Sequence, residues 1–278
     1  MNPRRCVLFV PGSRPERYAK AFATDADQVC IDLEDAVGPG DKDSARAAVM
    51  AYLATRTAMR GECGVRINAV GSTDGERDLA ALADGPASAD FVMLPKVESA
   101  ESVRIVDRAL GDRDTRIIAL VETPRGLLDA RAIAAASPRL SALMFGGFDF
   151  AVALRGRPGW DAFLAPRSQL AWVAAEAGLG FIDVPWLDFR DPAGLAAETD
   201  RVIAVGATAK AAIHPDQVAV IQSRFLPSAA ELAHARQVVA AIETAHGAAV
   251  QVDGKLVDRP IELAARRALV LGELGVRQ

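Results

Sequence analysis

The sequence predicts an α/β fold, a closed (β/α)₈ TIM barrel with a C-terminal helical extension and lid. Three observations carry this. Eight short apolar runs recur along the chain, Ala- and Arg-rich stretches with helical spacing lie between them, and 278 residues fit the roughly 250 of such a barrel plus an extension. Apolar strands separated by helices imply parallel pairing, because parallel neighbours need a crossover of about a dozen residues and are buried on both faces. An open doubly wound sheet is the competing architecture. The G-x-G-x-x-G turn that would support it is missing after the first run.

Taken in order, CVLFV (6–10) is stopped by Pro11-Gly12 and followed by the helical PERYAKAFA (15–23). VCIDL (29–33) leads to DSARAAVMAYLAT (43–55), and VRIN (65–68) and FVMLP (91–95) precede ESVRIVDRAL (101–110). IIALVE (117–122) leads to GLLDARAIAA (126–135), ALMFG (142–146) to PRSQLAWVAAEAG (166–178), and GFIDV (180–184) and AAIHP (211–215) complete the eight. Beyond Pro215 come a short helix DQVAVIQSRF, a longer one from about Ser228 to Ala245, a polar turn and a last helical stretch. Residues 247–258 read as a hairpin or mobile lid, since Asp253-Gly254 between β-prone runs favours a tight turn. Residues 1–222 are thus assigned to the barrel and 223–278 to an extension that packs on a neighbouring subunit.

Composition narrows the function. With 51% hydrophobic and 24% charged residues the chain can build a large core, and a net charge of −4 gives no global field for nucleic acid or anionic lipid. The apolar run after Arg4-Arg5 is too short for a secretory or membrane segment, which points to the cytoplasm. Cys6, Cys30 and Cys63 each sit inside an apolar run and read as buried thiols.

In a barrel of this kind chemistry gathers at the C-terminal ends of the strands. Those ends are acidic here: Asp32, Glu34 and Asp35 after the second run, Glu122 after the fifth, Asp149 after the sixth, with Asp183 at the seventh and Glu98 near the fourth. Carboxylates brought together repel unless a cation compensates, and Mg²⁺ takes one or two of them with water and substrate completing its shell. Glu122 and Asp149 are the candidate ligands, and Gly146 and Gly147 would let substrate approach the backbone. Each acid could instead cap a helix. Arg66 is a candidate clamp for a substrate carboxylate or the partner of Glu34 or Asp35. Lys96 could form a Schiff base, although its acidic surroundings suit a charged, paired lysine. His214 reads as a structural histidine at the rim, and His234 and His246 as solvated. No Ser-His-Asp or nucleophile-elbow pattern is present.

CVLFVPGSRPERYAKA (6–21), IDLEDAV (31–37), VRIN (65–68), LPKVES (94–99), VETPRGLLDARAIA (121–134), MFGGFDFAVALRG (144–156), AIHPDQVAVIQSRFLPS (212–228) and GKLVDRPIELAARRAL (254–269) together resemble the citrate lyase β-subunit-like family of the HpcH/HpaI aldolase superfamily. The resemblance runs in order over essentially the whole chain. It implies a Mg²⁺-dependent carbon–carbon lyase on a (β/α)₈ barrel, close to citramalyl-CoA and malyl-CoA lyases, cleaving a 3-hydroxyacyl-CoA into an acyl-CoA and a 2-oxo acid. On the same basis Glu122 and Asp149 match the metal ligands, Arg66 the substrate-carboxylate arginine, and Asp32, Glu34, Asp35 and Lys96 the network that orients the metal's waters. Asp258 matches a catalytic aspartate on the lid, with an N-cap for the last helix as the alternative role.

For the thioester carrier, Gly12-Ser13-Arg14 ahead of a helix, with Arg14, Arg17 and Lys20, could take coenzyme A phosphates, or could be a solvated basic face. The related hydroxy-oxo-acid aldolases carry a histidine where Asp35 stands, which argues against a pyruvate-type aldolase. A citrate lyase subunit dependent on an acyl carrier protein is a second reading, and a catalytically silent binding module a third. The family resemblance also implies a homo-oligomer, a trimer or hexamer.

Overall fold

The computed structural model describes residues 4–57, 60–85, 88–245 and 249–276. From β1 to β8, eight strands alternate with helices: β1 (Cys6–Pro11), α1 (Tyr18–Phe22), β2 (Gln28–Asp32), α2 (Lys42–Thr55), β3 (Glu62–Arg66), α3 (Thr73–Asp84), β4 (Phe91–Leu94) and α4 (Ala100–Leu110). They continue with β5 (Arg116–Val121), α5 (Pro124–Leu128), α6 (Ala130–Ala134), β6 (Leu140–Phe145), α7 (Gly147–Ala153), α8 (Trp160–Glu176), β7 (Gly180–Asp183), α9 (Pro192–Val205), β8 (Ala209–Ala212) and α10 (Asp216–Arg224). The strands pair in parallel in chain order, and β1 closes on β8 with Cys6, Val7 and Leu8 opposite Lys210, Ala211 and Ala212. The sheet is therefore the closed barrel that the apolar runs predict.

Its interior is packed with side chains. Val7, Cys30, Phe91, Met93, Ile118, Leu120, Ala142, Met144, Ile182, Ala209 and Ala211 form one buried cluster. Large and small residues interlock: a Cβ on Gly64 would lie 2.2 Å from the Phe91 ring, so the bare backbone of β3 makes room for the neighbouring aromatic. All three cysteines are buried, and desolvation pushes the Cys63 thiol up to about 12. They remain protonated and unreactive at neutral pH.

Helix starts follow local chemistry. Ser72 accepts a hydrogen bond from Gly75 N at the head of α3, Thr123 from Gly126 N at α5, and Asp191 from Gly194 N at α9. Three boundaries differ from the sequence reading. The 126–135 stretch is two short helices broken at Asp129, which leaves helical geometry at ψ 4°. The helix expected at Pro166 begins six residues earlier, because Pro166 fits inside α8 on its buried face beside Phe163, Arg167 and Leu170. The basic 15–23 segment is a single tight turn, Pro15–Arg17, followed by the five-residue α1.

Residues 222–276 form a second compact unit. Its elements are α11 (Ala229–Thr244), a hairpin of β9 (Val250–Val252) and β10 (Lys255–Val257), and α12 (Arg259–Val276). Ser228 and Glu231 make a reciprocal capping box at the start of α11. The Asp-Gly turn forms as its chemistry requires, with Asp253 at φ 49° and Gly254 at φ 76°. Ala235, Val238, Ile242, Val257 and Ala265 are its core. His234 is half-exposed at 3.6 Å from Asp253, while His246 and Gly247 lie outside the described residues.

Candidate active site

The C-terminal ends of the strands surround a hollow of about 420 Å³. Asp32, Asp35, Glu122 and Asp149 line it with Arg66, Gly146 and Gly147, and an apolar wall of Phe9, Leu120, Met144, Phe148, Val184, Pro185 and Ile213 faces them. Each polar group owes its place to a strand end.

Asp32 and Arg66 are register partners on β2 and β3. The arginine forks onto the aspartate, Nε to Oδ1 at 2.7 Å and Nη2 to Oδ2 at 2.6 Å. The Asp32 carboxylate also accepts from Glu34 N and Ala36 N, so its lone pairs are filled and it shapes the loop that follows. Arg66 Nη1 lies 2.8 Å from Glu34 Oε2 and 3.8 Å from Asp35 Oδ2. Burial works against its charge, but the bonds and field of Asp32 outweigh that and hold its pKa above the ordinary value. The fork onto Asp32 engages two of its five N–H groups, and the Nη1 end beside Glu34 makes an ion pair without a hydrogen bond. Of the two sequence readings of Arg66, the pairing with an acid is formed, and the residue also lines the hollow.

Lys96 donates its ammonium to Glu34 Oε1 at 2.7 Å, the charged and paired state that its surroundings favour. Its backbone is unusual, with φ at 52° in the left-handed region. That conformation aims the Lys96 N–H at Glu122 Oε1, 2.6 Å away.

Glu122 follows β5 and is 2% exposed. Thr123 is the helix cap here, so the Glu122 carboxylate is free for another role. Asp149, in the first turn of α7, lines the same hollow. No side chain caps α7, so the capping alternative fails for Asp149 as well. Burial, then the fields of Glu34 and Asp149, push the Glu122 carboxyl up to about 8. Gly146 permits this placement: a Cβ there would lie 2.7 Å from Glu122 Oε2.

Four carboxylates against one arginine, among the described lining residues, leave the hollow short of positive charge. Asp32 and the Oε1 atom of Glu34 are held by their donors, whereas Glu122 and Asp149 both line the hollow where a cation could stand. Oxygen donors of this charge fit a hard divalent ion. Among the described residues no group of three or more His, Cys, Asp or Glu is arranged to hold a metal. Two protein ligands with water and substrate completing the shell is the arrangement the residues suit.

Several candidates stand elsewhere. Asp183 is fully buried and bonded to Arg167 and Lys210, so it is structural. Glu98 accepts from Thr123 at the exposed surface. His214 stacks on Phe189 with ring centroids 4.8 Å apart. Gly12, Ser13 and Arg14 line a separate polar hollow with Asp41 and Ser44, while Arg17 and Lys20 are exposed and outside its lining. Asp258 is half-buried between β10 and α12, and its carbonyl accepts from Glu262 N.

Sequence reasoning missed Lys42. Its ammonium bonds Leu33 O at 2.7 Å, Glu34 O at 2.6 Å and Asn68 Oδ1 at 2.7 Å, tying the loop after β2 to the one after β3. Asn68 is in turn held by Asp78, and Asp78 by Arg46. A signal existed: a lysine at the first residue of a helix opposes the macrodipole, and here its charge is led away to other acceptors.

The profile of the HpcH/HpaI aldolase/citrate lyase family matches residues 5–215. A citrate lyase subunit beta-like protein of Mycobacterium tuberculosis is 40% identical over 273 residues, covering 94% of this chain and 94% of the relative. An L-malyl-CoA/beta-methylmalyl-CoA lyase of Cereibacter sphaeroides is 34% identical over 289 residues, covering 92% and 91%. A crystal structure of protein CitE from M. tuberculosis in complex with magnesium, acetoacetate and coenzyme A superposes with a TM-score of 0.84 at 37% identity, covering 98% of each chain.

Proposed function

Because the chain belongs to the HpcH/HpaI aldolase/citrate lyase family, we propose that it is a Mg²⁺-dependent carbon–carbon lyase that cleaves a 3-hydroxyacyl-CoA, such as citramalyl-CoA or malyl-CoA, into acetyl-CoA and a 2-oxo acid. The observation that carries this reading is the meeting of Glu122 and Asp149 at one edge of a hollow whose only lining cation among the described residues is Arg66. Relatives named as lyases of this kind, and a similar structure holding magnesium and coenzyme A, support it.

Bound Mg²⁺ would supply a Lewis acid that stabilises negative charge developing on the substrate's hydroxyl oxygen. Glu122 and Asp149 would hold it. Arg66 uses its remaining N–H groups to fix the carboxylate of the 2-oxo acid portion, and the buried pairs with Asp32 and Glu34 keep the guanidinium from swinging away. Lys96 holds Glu34 by its ammonium and Glu122 by its amide. In cleavage the hydroxyl proton is lost, the bond between the hydroxyl-bearing carbon and its neighbour breaks, and the thioester enolate takes a proton at carbon. Asp258 is assigned as the acid that delivers it, from its own or a neighbouring chain. The apolar wall of Phe9, Met144 and Phe148 keeps water from the enolate side.

Arg14, Arg17 and Lys20 are assigned to the phosphates of the carrier. The proposal further includes a homo-oligomer, a trimer or hexamer, in the cytoplasm. Among the described residues no helix is long and apolar enough to cross a membrane.

The test is release of pyruvate or glyoxylate from hydroxyacyl-CoA substrates with purified protein, with and without EDTA. Turnover that needs Mg²⁺ and no carrier protein is expected, and Glu122→Ala, Asp149→Ala and Asp258→Asn are expected to lose it while remaining folded. Turnover only on a thioester of an acyl carrier protein would assign the chain to a citrate lyase complex instead.

A further inference from the structure

A second hollow, of about 530 Å³, opens beside the first, and the proposed reaction makes no use of it. Phe148, Val184 and Pro185 line both. Its own wall is aromatic, with Trp160 and Phe163 from the start of α8 and Trp186 from the loop after β7. Two guanidiniums flank the Trp160 ring, Arg201 of α9 at 3.6 Å from the centroid and Arg167 at 5.0 Å.

These two cations differ in their compensation. Arg167 is completely buried and paired with Asp183 and Glu198, and Lys210 bonds the same two acids to close the network. Glu198 also lines the hollow, but each of its oxygens is already held, by Arg167 and by Lys210. Asp188 at the rim accepts from Arg190 N within its own turn. Arg201 stacks on Trp160 and, among the described residues, has no carboxylate at ion-pairing distance. The indole N–H of Trp186, another lining residue, is buried without an acceptor, a costly state for a donor.

We propose that this hollow binds a small aromatic carboxylate, its acid group on Arg201 and its ring among Trp160, Trp186 and Phe148. Stacking on the indole fixes the guanidinium plane while leaving its N–H edge open, the geometry that grips a carboxylate through two bonds. Less side-chain freedom is lost on binding because the arginine is already ordered. An aromatic lining of this size suits a flat apolar body. Phe148 immediately precedes Asp149, so an occupant would press on the helix that carries one of the two converging acids.

The inference does not depend on the lyase reading, and its test uses no turnover. Phenylacetate is titrated into the full chain in EDTA and followed by tryptophan fluorescence, since two of the chain's three tryptophans line the hollow. A saturable change is expected. Phenylacetamide, which keeps the shape and loses the charge, should bind at least about tenfold more weakly, and Arg201→Met should weaken phenylacetate by a similar factor. Arg201 is exposed, so that variant is expected to keep the thermal midpoint of the parent. Arg66→Lys, in the neighbouring hollow, should leave the affinity unchanged. No saturation up to about 20 mM, equal binding of acid and amide, or loss of binding in Arg66→Lys with retention in Arg201→Met would each overturn the proposal.

Discussion

Glu122 and Gly146 fit together so closely that no side chain can be added between them: a Cβ on Gly146 would lie 2.4 Å from the Glu122 Cβ and 2.7 Å from its Oε2. Gly146→Ala must therefore displace the carboxylate. An overpacking cost of about 1–3 kcal/mol is expected in urea denaturation. Mg²⁺ affinity should fall by at least about tenfold, read by calorimetric titration. An alanine variant that binds the ion as tightly as the parent would show that Glu122 has no part in holding it.

The elevated Glu122 carboxyl gives the metal-free protein a pH signature. Folding raises this group from its ordinary 4.5 to about 8, so between those values the native state holds a proton that the unfolded chain has lost. The stability linked to this proton is full below about pH 4.5 and is lost as pH rises through about 8, with a slope of up to about 1.4 kcal/mol per pH unit. In EDTA, the Glu122→Gln variant should lack this component of the pH dependence. Because an ion at the site displaces the same proton, Mg²⁺ affinity should rise about tenfold per unit up to pH 8 and then level off.

Lys96 combines a left-handed backbone with an ion pair, and the two contributions can be separated. Lys96→Ala removes the ammonium from buried Glu34 and keeps the backbone strain, whereas Lys96→Gly removes both. Glycine should be more stable than alanine at this position by about 1 kcal/mol in denaturant titrations. Both variants should lose turnover relative to the parent, since Glu34 is left facing Arg66 alone. The opposite order, alanine above glycine, would mean that the conformation at residue 96 costs nothing.

Lys42 makes no contact with the hollow, and its removal tests how far loop position matters. In Lys42→Met the carbonyls of Leu33 and Glu34 lose their shared donor, costing about 1–3 kcal/mol in stability. KM for the substrate should rise through Arg66 while the pH profile governed by Glu122 stays in place. A change confined to kcat would argue that Lys42 reaches the chemistry directly.

Much of this architecture is legible in the residues because parallel barrel strands are buried on both faces and stand out as apolar runs. Boundaries are less legible. VRIN marks the end of β3 but not its start at Glu62, where the strand begins with a half-buried acid, and Pro166 looks like a helix start although its ring packs inside one. The converging acids could be nominated because the fold dictates that strand ends meet. Asp183 ends a strand in the same way, yet it faces the surrounding helices, where Arg167 of α8, sixteen positions earlier, and Lys210, on the next strand, claim it. Such pairings are properties of the assembled chain. Lys42 and the aromatic hollow were hidden for the same reason, each depending on partners from separate segments.

The seam where β1 meets β8 has a consequence for biosynthesis. Asp32, Glu34, Arg66 and Lys96 leave the ribosome well before Glu122 and Asp149, and the register that closes the cylinder waits for Lys210 to Ala212. Until β8 is made, a nascent chain thus displays its cluster of opposite charges and its open sheet edges, when pairing with other chains is a hazard. Catalytic competence can arise only once β8 has been made, which makes that strand a natural point of quality control.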